Sequence, residues 1–472
     1  MEVKMRKPIL LLILFSILTF SEFLLNPTKD FNFTLNNNIK FNLSFSYGYW
    51  NVLLIEKGGG AGTAINPAES GFYVFDKIPS ILNWEIFLKK DNFIFYTNIP
   101  FSKEKTVMII DPFTNFFLKN FRTPSFDMNG PENFLLAYAD NKTFLGIGRY
   151  PIKWGNSIYP ISISDTTFQD NITFSKKIDF FKYTYHLISS FPLLTTSEKT
   201  IQETHYDSHT PGLYFSQPYK TIIAHRFDFF LYNLRIGIGE INVVGGKFLD
   251  LIDINPLMFF HNTYGEGYSN VLASIDFMYN LKKFNIFGEF VLDDFNGPTE
   301  IGSNYKPNAY GYNLGVSYKD ENLKIWGEYD FTSEWMYITN YLPYLRVNIR
   351  HFYLDNNHTP GRALIDFPLG FKYGPDATMV SLGIDYKFKS FNLSFVYNHL
   401  IKGCVNDNGV DRWKWFWDSW PNNVSPKGNE IANSKDLRYN IFDLLIKFYS
   451  FSINLFKINE NILFIANIEV DI

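Results

Sequence analysis

Between Thr378 and Ile401 the chain alternates. Val380, Leu382, Ile384, Tyr386 and Phe388 fall on one parity; Ser381, Gly383, Asp385 and Lys387 fall on the other. After Lys389-Ser390 the alternation resumes, with Phe391, Leu393, Phe395 and Tyr397 set against Asn392, Ser394 and Asn398, and Val396 as the one exception. A period of two puts each set on one face of a strand. The stretch therefore predicts a hairpin with an apolar face that ends in aromatics and a small, mostly polar opposite face. A soluble hairpin would turn the apolar face to a core. A membrane barrel would turn it to lipid and the polar face to a lumen.

The unit repeats along the chain. Ile39 to Trp50 alternates strongly, and Ile81–Lys90 with Phe93–Phe101 form a hairpin around Asp91-Asn92. Further hairpins are predicted at 134–149, 172–189, 222–244, 271–294 and 310–331, each around a tight turn, and the tail from Leu437 to Ile472 holds three more strands. Tight turns alternate with long connections at roughly 150–170, 191–221, 245–268, 295–308, 333–376 and 402–436. In an up-and-down sheet alternate connections share an end, so one end carries short turns and the other long loops. Outer-membrane barrels have this asymmetry. The expectation is an all-β fold: a transmembrane antiparallel β-barrel of about 18 strands, an even number, as single-chain bacterial barrels have. Closure follows from hydrogen bonding, since an unpaired backbone group in hydrocarbon costs several kcal/mol and only helices and closed barrels avoid that.

Composition agrees. Of 472 residues 19% are aromatic, including 50 Phe and 30 Tyr, which favours strands and suits interfacial girdles. Mean hydropathy is -0.10, too low for a bundle of membrane helices. The net charge of -4 offers no basic patch for nucleic acid, and one cysteine, Cys404, excludes an internal disulfide framework. Residues 1–21 read as a signal peptide: Lys4, Arg6 and Lys7 precede the short apolar run Ile9–Phe20, then Thr19-Phe20-Ser21. A retained anchor is the alternative. Residues 22–130 read as an N-terminal β/loop region, either wall strands or a partial plug, with Gly58–Gly62 as loop, and 131–472 as the barrel. Together these place the chain in the outer membrane of a diderm bacterium, in contact with its lipid.

A family resemblance rests on Gly148-Arg149-Tyr150-Pro151-Ile152-Lys153-Trp154-Gly155, then Ile161 to Asp165, His225 to Phe229, Ile238-Gly239-Glu240, Asn255-Pro256-Leu257, Phe260-His261-Asn262, Gly288 to Phe295, and Phe367 to Gly370 with Gly374-Pro375-Asp376. In order and spacing the chain resembles the capsule-assembly Wzi-like family of outer-membrane barrels from about Phe134 to His399. That resemblance implies an 18-stranded barrel that binds surface polysaccharide and attaches capsule, without enzymatic activity. Well-known members carry a helical plug before the barrel, whereas residues 22–130 here show no sustained helical period.

Arg149, Trp154 and Asp165 sit at a strand end and in a long loop, where they could form a hydrogen-bonding and stacking site for sugar, or a network pinning the loop to the wall. Arg226, Glu240, Glu289 and Asp293 read as lumen charges that pair across the barrel or set selectivity. The loop Asp411–Trp420 holds four of the nine tryptophans; Trp413, Trp415 and Trp417 could stack on sugar rings, cap the barrel mouth or belong to a girdle. His225 or His261 near Asp228 or Asp253 could imitate a hydrolytic dyad, but no spacing singles one out. No His-Glu-x-x-His and no paired cysteines suggest a metal, and no cofactor motif occurs. The leading expectation is attachment of surface polysaccharide through the extracellular loops; a passive porin for small polar solutes is the alternative.

Overall fold

The protein is described from a computed structural model covering residues 38–49, 64–65, 77–103, 113–115, 126–127, 133–190, 217–246, 254–257, 269–295, 308–333, 336–337, 348–353, 362–367, 369–404 and 435–471. The leader at 1–21, Gly58–Gly62 and the tryptophan loop with Trp413, Trp415 and Trp417 lie outside the described residues.

Eighteen strands make the wall. They are β1 (Asn38–Tyr49), β2 (Leu82–Lys90), β3 (Phe93–Lys103), β4 (Asn133–Ala139), β5 (Thr143–Pro151), β6 (Phe168–Ile178), β7 (Phe181–Ser190), β8 (Gln217–Leu231) and β9 (Leu234–Gly246). The second half is β10 (Ser269–Leu281), β11 (Phe284–Asp294), β12 (Ala309–Lys319), β13 (Leu323–Thr332), β14 (Ala377–Lys387), β15 (Asn392–Cys404), β16 (Lys435–Phe448), β17 (Phe451–Ile458) and β18 (Asn461–Asp471). Each pairs antiparallel with its neighbours in sequence. The ring closes where β1 meets β18, from Lys40↔Asp471 to Tyr49↔Ile462. Closure leaves the wall without a free edge. Three wall strands come from the N-terminal region: β1, β2 and β3 all precede residue 131. Short strands at Phe113–Thr114 and Phe126–Asp127 pair with β1 and β3. Asn348–Tyr353 and Arg362–Phe367 form a small separate sheet with Ala64–Ile65.

The alternation sorts side chains as lipid and lumen require. On β14, Val380, Leu382 and Ile384 are 45%, 53% and 40% exposed, while Ser381 between them is fully buried. Leu145 and Ile147 on β5 and Leu314 and Val316 on β12 point outward in the same way. This much exposed aliphatic surface would be untenable in water; facing acyl chains it is the membrane-spanning surface itself. Aromatic pairs border it near the short turns, as Phe93–Tyr138, Phe284–Tyr318 and Phe388–Phe391. A second group, Phe290, Tyr310, Phe331 and Tyr312, sits near the long-loop end of β11 to β13. The chain is an outer-membrane barrel.

The tight turns have the geometry their residues favour. Two-residue hairpin turns need positive φ, and Asp91 (φ 53), Asp179 (φ 47) and Asn459 (φ 48) supply it with side chains that tolerate that region. Turns between β16 and β17 and between β8 and β9 use Tyr449 and Tyr232 instead, both at positive φ. There the closed wall fixes the backbone against the residue's own preference.

Candidate functional site

The connection from β5 to β6 does not project from the barrel. Residues 152–167 turn into the lumen. Ile152, Trp154, Ile161 and Ile163 are at most 1% exposed. Gly155 (φ +73) turns the chain just after Trp154, a conformation that glycine adopts without steric cost. The segment then reaches across to β11, β12 and β13.

Two carboxylates on the inward faces of those strands hold it. Glu289 accepts hydrogen bonds from Ile161 N (2.7 Å), Ser162 N (3.2 Å) and the Ser162 hydroxyl. Glu328 accepts from Ile158 N (2.6 Å) and Tyr159 N (2.7 Å). A segment without regular structure has backbone donors to satisfy, and a carboxyl group offers two acceptor oxygens for them. Ser157 Oγ donates to Asn313 Oδ1 (2.7 Å), Asn398 Nδ2 to the Tyr159 hydroxyl (2.9 Å), and the Tyr337 hydroxyl to Ile161 O (2.5 Å). Burial pushes the Tyr159 phenol well above its usual pKa. Segment 369–376 docks on the other side, where Ser164 N donates to Leu369 O (2.7 Å) and Ser164 Oγ to Gly370 O (2.5 Å). The result is a shelf across part of the lumen, tied to strands on the far wall.

Under the shelf lies a charge network. Arg226 on β8 donates from Nε (2.8 Å) and Nη2 (2.7 Å) to Asp228 and pairs with Asp276 on β10. Arg235 on β9 also donates to Asp228, at 3.0 Å. The guanidinium of Arg226 lies 5.8 Å from the Trp154 ring, and His186 packs on that ring at 6.1 Å. Gly239 permits the approach: a Cβ there would overlap the Trp154 ring.

Among the described residues, the expected saccharide contacts Arg149, Trp154 and Asp165 are not brought together. Trp154 is inside the barrel and 1% exposed, with Arg226, His186 and Gly239 against it; its setting is the pinning one. Arg149 shares the parity of Leu145 and Ile147 and faces outward, bonded to Asp170 across the β5–β6 pair (Nη2 to Oδ2, 2.7 Å) and lying over Phe168. Asp165 is on the shelf, 3.6 Å from Lys153. Among the expected lumen charges, Arg226 and Glu289 point inward as described. Asp293 also does, accepting from Tyr337 N (2.6 Å) and Asn270 Nδ2 (3.0 Å). Glu240 is a correction. It shares the parity of the exposed Ile238, faces away from the lumen and pairs with His225 at 3.5 Å. This part of the outer wall is covered: Tyr185 donates to Ile254 O (3.1 Å) and Tyr183 to Pro256 O. His225 and Asp228 consequently stand on opposite faces of β8, so they do not form the imagined dyad.

Glu328, Asp330, Lys182 and Arg235 were not singled out by sequence. Their signal was present. Glu328 and Asp330 alternate with Ile325, Tyr329 and Phe331, so they lie on the face opposite the lipid-facing set.

No family model matches the chain, and no curated protein matches it. Solved structures similar to it include in-vitro folded OmpT, an outer membrane protein of Vibrio cholerae (9% identity, TM-score 0.38, covering 92% of this chain and 97% of that one). The outer membrane protein OprD of Pseudomonas aeruginosa gives 8% identity and TM-score 0.38, covering 92% of each chain. OccK8 (OprE) of the same organism gives 8% and 0.39, covering 92% of this chain and 96% of that one. Likenesses of this size say nothing of what passes or binds.

Proposed function

We propose that the barrel is a passive channel for small polar solutes, narrowed by residues 152–167. One observation carries this reading: the shelf. An 18-stranded barrel is too wide for its side chains to fill and leaves an aqueous channel unless something occupies it. Here a polar, charge-lined lumen is narrowed by a segment fastened to the far wall through Glu289 and Glu328. Arg149 and Trp154 do not share one sugar site, because Arg149 faces out from the wall and Trp154 lies inside it, each engaged by neighbours.

Planar-bilayer recording on the refolded barrel tests the proposal. Steady unitary conductance is expected. The double substitution Glu289→Gln, Glu328→Gln puts an amide NH2 in place of one acceptor oxygen at each position, against backbone N–H donors; it loosens the shelf and should raise conductance at least twofold. A barrel that inserts yet never conducts would overturn the channel reading. Attachment of surface polysaccharide is the second reading, favoured by the family resemblance and the tryptophan-rich stretch 411–420. Glycan retention by the same preparation, lost on Trp415→Ala, would support it.

A further inference from the structure

We propose that the lumen mouth on the short-turn side is a binding site for a small phosphate dianion, either inorganic phosphate or a phosphate monoester. The inference rests on the channel reading only for the ligand's route of access. The site is a cavity of about 460 Å³ roofed by Asn156 of the shelf, within the size range of small-molecule sites.

Charge is the first argument. Lys142, Lys177, Lys182 and Arg235 line the cavity, against Asp140 and Asp228. Four cations less two carboxylates leave an excess of two positive charges. Both carboxylates are already committed. Asp140 accepts from Lys142 N (2.8 Å), Thr143 N (2.7 Å) and the Tyr138 hydroxyl (3.1 Å), holding its own turn. Asp228 is bonded by Arg226 and Arg235 together. Lys182 differs: Asp228 attracts it at a distance, but among the described residues no hydrogen bond or salt-bridge contact engages its ammonium. Such a cation at the wall of a recessed cavity raises the local concentration of anions.

Donor inventory is the second argument. Asn156 takes a hydrogen bond from Arg235 Nη1 on its carbonyl side (3.3 Å), while its Nδ2 is buried without an acceptor among the described residues. A buried amide donor left unsatisfied is costly. A phosphate oxygen would satisfy it once the carboxamide turns toward the cavity that Asn156 lines. A phosphate monoester carries a charge of about −2 at neutral pH and three strong acceptor oxygens, which matches the excess charge and the donors. Phe144, Phe230 and Met278 also line the cavity, giving the organic part of a monoester an apolar wall.

Isothermal titration of the detergent-solubilised barrel, with inorganic phosphate in one arm and glycerol phosphate in the other, tests the site without requiring conduction. Binding in either arm is expected, tighter for glycerol phosphate if the apolar wall is used. Lys182→Gln should weaken it at least tenfold, and Lys182→Arg, which keeps the charge, should restore most of it. Phosphate added on the short-turn side of a bilayer should also reduce current in the wild type and not in Lys182→Gln. No heat in either arm, or affinity indifferent to Lys182→Gln in a correctly folded barrel, would overturn the site. Binding by a barrel that never conducts would leave the site standing and remove the channel reading.

Discussion

On the inner face of β3 to β5 stand Ile94, Tyr96, Leu135, Ala137 and Phe144, all buried. On the inner face of β11 to β13 stand Glu289, Asn313, Glu328 and Asp330, equally buried. Both arcs face the interior of one barrel, and both are almost inaccessible, but they are held by different forces. The apolar arc is stabilised by close contact, which is non-directional and tolerates exchange of shape for shape. The polar arc is stabilised by bonds of fixed direction: Glu289 and Glu328 each meet particular backbone N–H groups on the shelf. Removing one partner there leaves another stranded in a low-dielectric site. The directional arc therefore positions the element that narrows the lumen, and the apolar arc supplies stability without specifying it.

The largest break in this contrast is expected at Arg226. Arg226→Met leaves Asp228 with Arg235 as its one bonded cation and Asp276 without its counter-charge. Losing one partner of a buried network costs roughly 3–5 kcal/mol. Urea unfolding of the barrel in detergent should show that loss, and adding Asp276→Asn should recover part of it. No recovery in the double variant would mean that Arg226 acts through packing on Trp154 instead. The apolar arc should respond less. Leu135→Ala removes a fully buried side chain and should cost about 3 kcal/mol by cavity formation, with unitary conductance unchanged. A conductance change there would show that the two arcs are coupled.

The smallest effect belongs outside the membrane. Asp320, in the β12–β13 turn, accepts from Lys283 at 2.9 Å, and that hydrogen bond holds its carboxyl below the ordinary carboxylate range. A carboxyl depressed in the folded state stabilises above its unfolded pKa, and the contribution disappears as pH falls through the folded value. Wild type should therefore exceed Asp320→Asn slightly at pH 6, with the difference vanishing as the pH falls through the depressed folded value. A gap that persists in acid would assign the effect to the turn's hydrogen bonds instead of to charge. Both groups are well exposed, so the effect is small and fades in salt.

Particular residues show what could be read in advance. Val380, Leu382 and Ile384 announced a lipid-facing strand because lipid acts on every second residue, and that period survives in a linear string. Glu240 was misread, although Ile236 and Ile238 share its parity and marked its face as outward. Trp154 carried no comparable signal: a tryptophan in a Gly- and Pro-rich connection looks the same whether the connection projects or folds inward. The cluster of Arg226, Asp228, Arg235 and Asp276 draws on three strands, and only the register of β8, β9 and β10 places these residues side by side.

The local string settled strand, turn and barrel class, because hydrogen-bonded closure in a bilayer imposes its rule one residue at a time. Which way the β5–β6 connection bends, which carboxylates receive it and which cations share a cavity came from the closed ring. Those outcomes depend on residues as far apart as Ile161 and Glu289, brought within 2.7 Å by the curvature and register of the wall. No local pattern encodes a distance of that kind, since it is a property of the whole cylinder.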